Sequence, residues 1–314
     1  MKASTNSIFS TGSFMGTMAV ILLLAGCGSG NDSTASSSME QSRPPAPVSS
    51  QEMTDEQIEN LVRRSWQYVA MYNVNNKGAM LYGGWNLCDV DTELKDHNLK
   101  VIARPNNDSL YISCTLDLRK EPVILDMPAF DSKYVSLMVT GYDHYVNIPM
   151  STRQGDFTEP ETMLFFTERS PGYKKGEQVE GVDRYFEGTG DFLSAVFRVM
   201  PHANEAERFE RIKEQMQSVK LLTLAGLHGG DPVPIDDVDF PEVGKGDVDV
   251  YANNLLEVMQ FVFNHTTFDA DSELDQKLLE IYEPLGVTSG QAYDAEPVLI
   301  HISEPTRLNS TSRM

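Results

Sequence analysis

Three polar side chains of complementary type stand within five residues: Arg104, Asn106 and Asp108. A guanidinium offers a planar fork of donors, a carboxylate accepts, and an amide does both. Such a set suits a polar small molecule, a sugar or a carboxylate. In an extended chain the three project to one side, because strand side chains alternate, and Pro105 disfavours helix at Arg104. The same residues also suit a structural turn, in which Asn106 and Asp108 bond their own backbone. Both readings stand at this level. Tyr111, five residues after Asn106, and His144, between Tyr142-Asp143 and Tyr145, complete the candidate ligand-binding set.

Other chemistry-bearing patterns are weaker. Asp89, Asp91 and Glu93 alternate, as do Asp237 and Asp239. Neither run has the spacing of a calcium loop, so both read as solvated acidic loops. The six histidines contain no i, i+4 pair, which leaves a zinc site without support. His228-Gly229-Gly230-Asp231 reads as a glycine turn after a helix. The chain has no G-x-S-x-G elbow, H-E-x-x-H pair or P-loop, nor a G-x-G-x-x-G turn after a strand. No metal and no cofactor are therefore expected.

The segment that must carry any site is preceded by a leader. Met18 to Gly26 form an apolar run, too short for the roughly 20 residues of a permanent membrane helix but suited to a secretory signal peptide. Leu24-Ala25-Gly26-Cys27 resembles the lipobox of bacterial lipoproteins. It predicts a signal peptide over 1–26 and lipidation of the Cys27 thiol. Residues 27–52, rich in Ser, Gly and Pro, read as a flexible tether. The protein is thus expected to be exported and held at the membrane by its lipid, with Gly28 favouring the outer membrane, facing the periplasm, in a Gram-negative cell.

Composition narrows the partners. There are 46 acidic against 25 basic residues, for a net charge of −21. That field repels phosphate backbones, so nucleic acid is not an expected partner. About 260 residues follow the tether, and 40% of the chain is hydrophobic, enough for an ordinary core. Cys88 and Cys114 remain after Cys27. Export permits a disulfide between them, while Cys114 equally suits a small buried apolar position.

Periodicity predicts an α+β fold: an antiparallel, jelly-roll-like β-sandwich with a helix before it and a helical segment after it. A capping box at Thr54 and Gln57 opens a helix over roughly 55–74, closed by Asn75-Asn76-Lys77-Gly78. Strands are predicted at 110–116, 122–127, 134–140, 145–148, 163–166 and 184–186. Asn204 and Glu207 predict a second capping box, with further helices over Tyr251–Phe263 and Leu274–Leu285 and Gly286 as the C′ residue of the last. The domain limits are 53–200 for the first helix and sandwich and 201–304 for the helical extension, with 305–314 as an unstructured tail.

Within this frame Arg104-Pro105-Asn106-Asn107-Asp108-Ser109-Leu110-Tyr111 resembles the Pro-Asn-x-Asp-Thr-x-Tyr signature of the domain of unknown function 1254 family, with Ser109 in place of the usual Thr. Thr115-Leu116-Asp117-Leu118-Arg119-Lys120-Glu121-Pro122-Val123 resembles its next segment, and Tyr142-Asp143-His144-Tyr145-Val146-Asn147 a following strand. Members usually carry a second β-rich domain, of the 1214 type, after the helical segment. Residues 305–314 leave too little chain for one, so the resemblance is to a one-domain or truncated member. The family has no agreed chemistry. Two function classes follow: an envelope lipoprotein that binds a polar small molecule or carbohydrate, and a small-molecule enzyme with Arg104, Asp108 and either His144 or Tyr111 in its site.

Overall fold

Helix α1 (Asp55–Tyr82) begins at the expected capping box. The Thr54 amide donates to Gln57 Oε1 at 2.8 Å, and Gln57 N donates back to Thr54 Oγ1 at 3.3 Å. Asp55 and Glu56 in the first turn oppose the positive end of the helix dipole. The helix continues past the expected stop and ends at Gly83, whose φ of 95° is left-handed. Asn75 and Asn76 are buried there. Asn76 Nδ2 donates to Tyr72 O at 2.9 Å and to Tyr142 Oη at 3.1 Å. The Asn76–Tyr142 contact offsets the weak helix propensity of asparagine, while the Asn75 side chain is buried without a hydrogen-bond partner among the described residues. The structure, a computed structural model, describes residues 53–96, 98, 106–234 and 239–294. The leader, Cys27, the tether, Arg104, Asp237 and the 305–314 tail lie outside the described residues.

Among the described residues, nine strands follow in two open sheets. They are β1 (Leu87–Asp91), β2 (Leu110–Asp117), β3 (Val123–Met127), β4 (Val135–Thr140), β5 (Val146–Ser151), β6 (Glu161–Phe166), β7 (Arg184–Glu187), β8 (Phe192–Val199) and, after α2 (Ala206–Gln217), β9 (Lys220–Thr223). The first sheet runs β1-β2-β8-β4-β5 and the second β7-β6-β3-β9. Every pairing is antiparallel except β6 with β7. The connection between those two is long enough to carry the chain back to the start of β6, which a parallel pair requires. There the Asp183 amide donates to Thr162 O at 2.9 Å, and Thr162 N to Asp183 Oδ2 at 2.8 Å. The architecture is therefore α+β with two open sheets, one of them mixed, instead of a wholly antiparallel array.

Alternation along the strands builds the main core. Leu110, Ile112, Cys114 and Leu116 point one way from β2 and share a cluster with Val123, Leu125, Met163 and Phe165 of the second sheet and with Ile212 and Met216 of α2. Each such side chain contributes about 1.5–3 kcal/mol by leaving water.

Strand β1 forms where the alternating acidic residues predict a solvated loop. Its carboxylates at Asp89 and Asp91 alternate with Cys88 and Val90, which pack on the core. Charge on an edge strand discourages pairing with another chain. Cys88 stands opposite Cys114 on β2 with Cα atoms 4.1 Å apart, and the two form a disulfide. Closing a loop of 26 residues contributes about 3 kcal/mol in the chain-entropy account.

The helical layer forms a second cluster. After the short α3 (Leu224–Leu227), the predicted 251–263 helix is two: α4 (Asp247–Asn253) and α5 (Leu255–His265), broken where Asn254 adopts φ −148°. Helix α6 (Glu273–Tyr282) passes into a 3₁₀ turn at Pro284 and stops at Gly286, φ 79°, as expected. The Asn204–Glu207 box does not form. Helix α2 starts at Ala206 without a side-chain cap, because the chain first turns at His202, φ 51°, whose Nε2 accepts the Lys133 amide at 3.1 Å. Tyr68 and Tyr72 of α1, Val258 and Phe263 of α5 and Tyr282 of α6 cluster with Tyr142 and Phe192, which come from the ends of sheet strands.

Candidate functional site

Among the described residues, Asn106, Asp108 and Tyr111 lie together at the start of β2, and His144 stands apart from them. Asn106 Nδ2 donates to Tyr111 Oη at 2.8 Å, and its Oδ1 accepts the Asp108 amide at 2.8 Å. That is an Asx turn leading into β2, with Asp108 exposed. The Tyr111 ring lies 5.9 Å from the Arg198 guanidinium. His144 is exposed at φ 62° in the turn after β4. Register places it at the other end of the sheet. Leu110 faces Val199, which faces Val135, whereas Thr140 faces Ser194, which faces Thr115. Five register steps at about 3.4 Å each separate the two ends.

A different set converges, around Phe192 at the start of β8. Its ring is fully buried. Trp85 lies 4.8 Å away, Phe240 5.2 Å, Phe261 5.6 Å, and the His265 ring 5.1 Å, edge-on. The Arg119 guanidinium sits 5.0 Å over the same ring. Asp117, at the end of β2, holds Arg119 through its backbone amide, to Oδ1 at 3.1 Å, and through its side chain, Nε to Oδ1 at 2.9 Å and Nη2 to Oδ2 at 2.7 Å.

Beside it, Asp191 is buried and collects side chains from two segments, the end of α5 and the loop after β6. His265 Nδ1, at the end of α5, is 2.9 Å from Oδ2. Arg169, just after β6, donates from Nε to Oδ1 at 3.0 Å and from Nη1 to Thr267 Oγ1 at 2.9 Å. Thr167 Oγ1 adds a contact to Oδ1 at 3.3 Å. Burial pushes the Asp191 carboxyl up, but the hydrogen bonds and charges of His265 and Arg169 outweigh it and hold the group below the usual carboxylate range. An ionised Asp191 is acceptor-only, so Nδ1 is the donor in this contact. The approach of α5 to β8 needs Gly190, where an added Cβ would meet His265 O at 2.6 Å.

A cleft of about 340 Å³ opens on the same aromatic group, lined by Trp85, Asn86, Thr223, Pro232, Val233 and Pro234 among others. Both walls are pinned. Asn86 Oδ1 accepts the Asp117 amide at 2.7 Å. Glu121 accepts Ala225 N at 2.7 Å and Val233 N at 2.8 Å. Among the described residues no group of three His, Cys, Asp or Glu side chains gathers as a metal site would require, and no helix is long and apolar enough to cross a membrane.

Residues 87–220 match the model of the family described as "Protein of unknown function (DUF1254)". That segment belongs to the DUF1254 family. No curated protein matches the chain. Among solved structures, the VPA0106 protein from Vibrio parahaemolyticus is similar at a TM-score of 0.52 and 20% identity, over 76% of this chain and 54% of its own. An uncharacterized protein from Burkholderia cenocepacia gives a TM-score of 0.30 and 10% identity, over 48% of this chain and 39% of its own. The Vibrio protein shares the fold, and this chain spans about half of its length. The DUF1254 segment supplies Asp117, Arg119, Glu121, Arg169 and Asp191, while Trp85 and His265 come from outside it. Sequence reasoning quoted Asp117 and Arg119 only as part of the family resemblance. It missed Asp191 and His265, which lie 74 residues apart with no spacing signal between them.

Proposed function

We propose that this chain is an exported envelope lipoprotein, acylated at Cys27, that binds a polar small molecule of carbohydrate type in the cleft beside Trp85. The observation that carries the binding reading is the cleft itself. Its volume of about 340 Å³ falls within the range of small-ligand sites, roughly 300–1,000 Å³, and an indole wall offers a flat face to the C–H side of a sugar ring. The Cys88–Cys114 disulfide supports export, because such bonds persist in oxidising compartments. Outer-membrane attachment facing the periplasm follows from Gly28 if the cell is Gram-negative. We also read the two sheets as a jelly-roll-like sandwich, supported by the single core cluster drawn from both.

The chain has two tryptophans, so Trp66→Phe leaves Trp85 as the one indole reporter. Titrating that variant with a panel of mono- and disaccharides should shift its emission saturably for at least one sugar. Calorimetry on Trp85→Ala should then show at least about tenfold weaker binding, equivalent to about 1.4 kcal/mol. A panel with no saturable response removes the carbohydrate reading.

Anchoring has its own test. Cys27→Ser is expected to move the protein from the membrane fraction to the soluble fraction, since a serine hydroxyl does not replace the acylated thiol. Intact-mass measurement of the native protein should show the lipid on Cys27, and an unmodified mass would sink the anchor.

A further inference from the structure

The geometry points to a second activity at the Asp191 network: we propose that His265 is a catalytic base that hydrolyses small esters, with Asp191 as its positioning residue and Arg169 facing the developing negative charge. This goes beyond the binding reading and rests on the Asp191 network, not on the cleft wall.

Three observations combine. Asp191 is buried and engages His265 through Nδ1, which fixes the ring and directs Nε2 outward as the basic nitrogen. Nε2 has no hydrogen-bond partner among the described residues and is not one of the enclosed unpartnered atoms, so water reaches it. Arg169 binds the other oxygen of the same carboxylate, and its side chain is 35% exposed. Three of its five N–H groups are directed at Asp191 and Thr267, and its Nη1 also lies 3.9 Å from Glu168 Oε1. A base and a cationic donor are therefore held by the two oxygens of one carboxylate, and the His265 ring packs against those of Phe192 and Phe261.

No serine or cysteine is hydrogen-bonded to His265 among the described residues, so water is the nucleophile. His265 Nε2 takes one proton from water as its oxygen bonds to the acyl carbon. The carbonyl electron pair moves onto oxygen, where Arg169 stabilises it. The pair then returns, the C–O bond to the alcohol breaks, and the imidazolium gives its proton to the leaving oxygen. Acid and alcohol leave, and His265 is again neutral. The aromatic surroundings favour a compact, partly apolar acyl group.

The test uses the full mature protein with p-nitrophenyl acetate as the probe, read as nitrophenolate release. His228 is exposed and remote from Asp191 contacts, so His228→Asn reports ordinary surface imidazole and should keep the wild-type rate. His265→Asn retains a donor near the Nδ1 position and should lose at least tenfold. The wild-type rate should fall on acidification and should drop about twofold in D2O, and both signatures should vanish in His265→Asn. Equal rates for wild type and His265→Asn overturn the proposal. If His265→Asn does not fold, diethyl pyrocarbonate on the folded wild type decides. Rate loss must track modification of His265 and reverse with hydroxylamine, and loss that tracks another histidine overturns it. Saccharide binding and ester hydrolysis are both measured on intact cleft and network, so a failure of one leaves the other legible.

Discussion

Phe192→Ala is expected to lower stability by about 3–5 kcal/mol, the usual cost of deleting a fully buried aromatic ring. The site explains why the upper part of that range applies. Phe192 is the first residue of β8, so it belongs to the first sheet, yet its ring lies in the cluster of the helical layer. Trp85, Tyr142, Phe240, Phe261 and His265 all contact it, and Arg119 stacks on it. These neighbours come from separate segments, and backbone hydrogen bonds such as Leu118 N to Asp191 O at 2.8 Å hold several of them in place. The cavity therefore collapses little, and the cavity cost adds to the lost transfer free energy. Phe192→Leu, which keeps most of the volume, should cost less than half as much. Urea denaturation monitored by circular dichroism measures both. A loss below about 1 kcal/mol for the alanine variant would mean that the ring does not join the two layers.

Asp191→Asn is expected to cost about 2–3 kcal/mol near neutral pH, by leaving Arg169 without its charge partner and weakening the His265 contact. The value sits below that of a fully buried pair because Arg169 retains access to water. The pH dependence has a definite sign. The folded-state pKa of Asp191 is depressed by His265 and Arg169 despite the opposing effect of burial. Its contribution is therefore fully present above the unfolded carboxylate value of about 3.9 and is lost as pH falls through the folded value. The gap between wild type and Asp191→Asn should be widest at pH 7 and should close on acidification below about pH 4. Asp143 behaves oppositely: burial raises its pKa, with hydrogen bonds from Thr189 and Tyr145 opposing, so its charged form is the destabilising one. Comparing wild type with Asp191→Asn cancels that background. A gap independent of pH would show that the Asp191 charge is not what stabilises the network.

Local patterns were legible where the local cause was sufficient. The Thr54–Gln57 capping box needs only four residues, and it forms as read. The alternation at 110–116 and 135–140 places apolar side chains on one face, and those strands are present. Gly286 ends its helix for a reason held in its own missing Cβ.

Only the tertiary structure decided the rest. Helix α1 runs on through Asn75 and Asn76 because Tyr142, 66 residues later, accepts an amide hydrogen bond. Strand β1 exists because β2 supplies its partner, and the disulfide follows from their register. His144 and Asn106 looked like one site in a linear reading and stand at opposite ends of a sheet, since strand length is converted into distance. Asp191 and His265 carried no signal at all, because two residues 74 apart meet through the packing of a helix end against a strand start. Sequence by itself determined which residue types alternate, cap and turn, since those effects act within a few bonds. The meeting of base, carboxylate and guanidinium was set by packing, which acts between segments whose separation along the chain bears no relation to their distance in space.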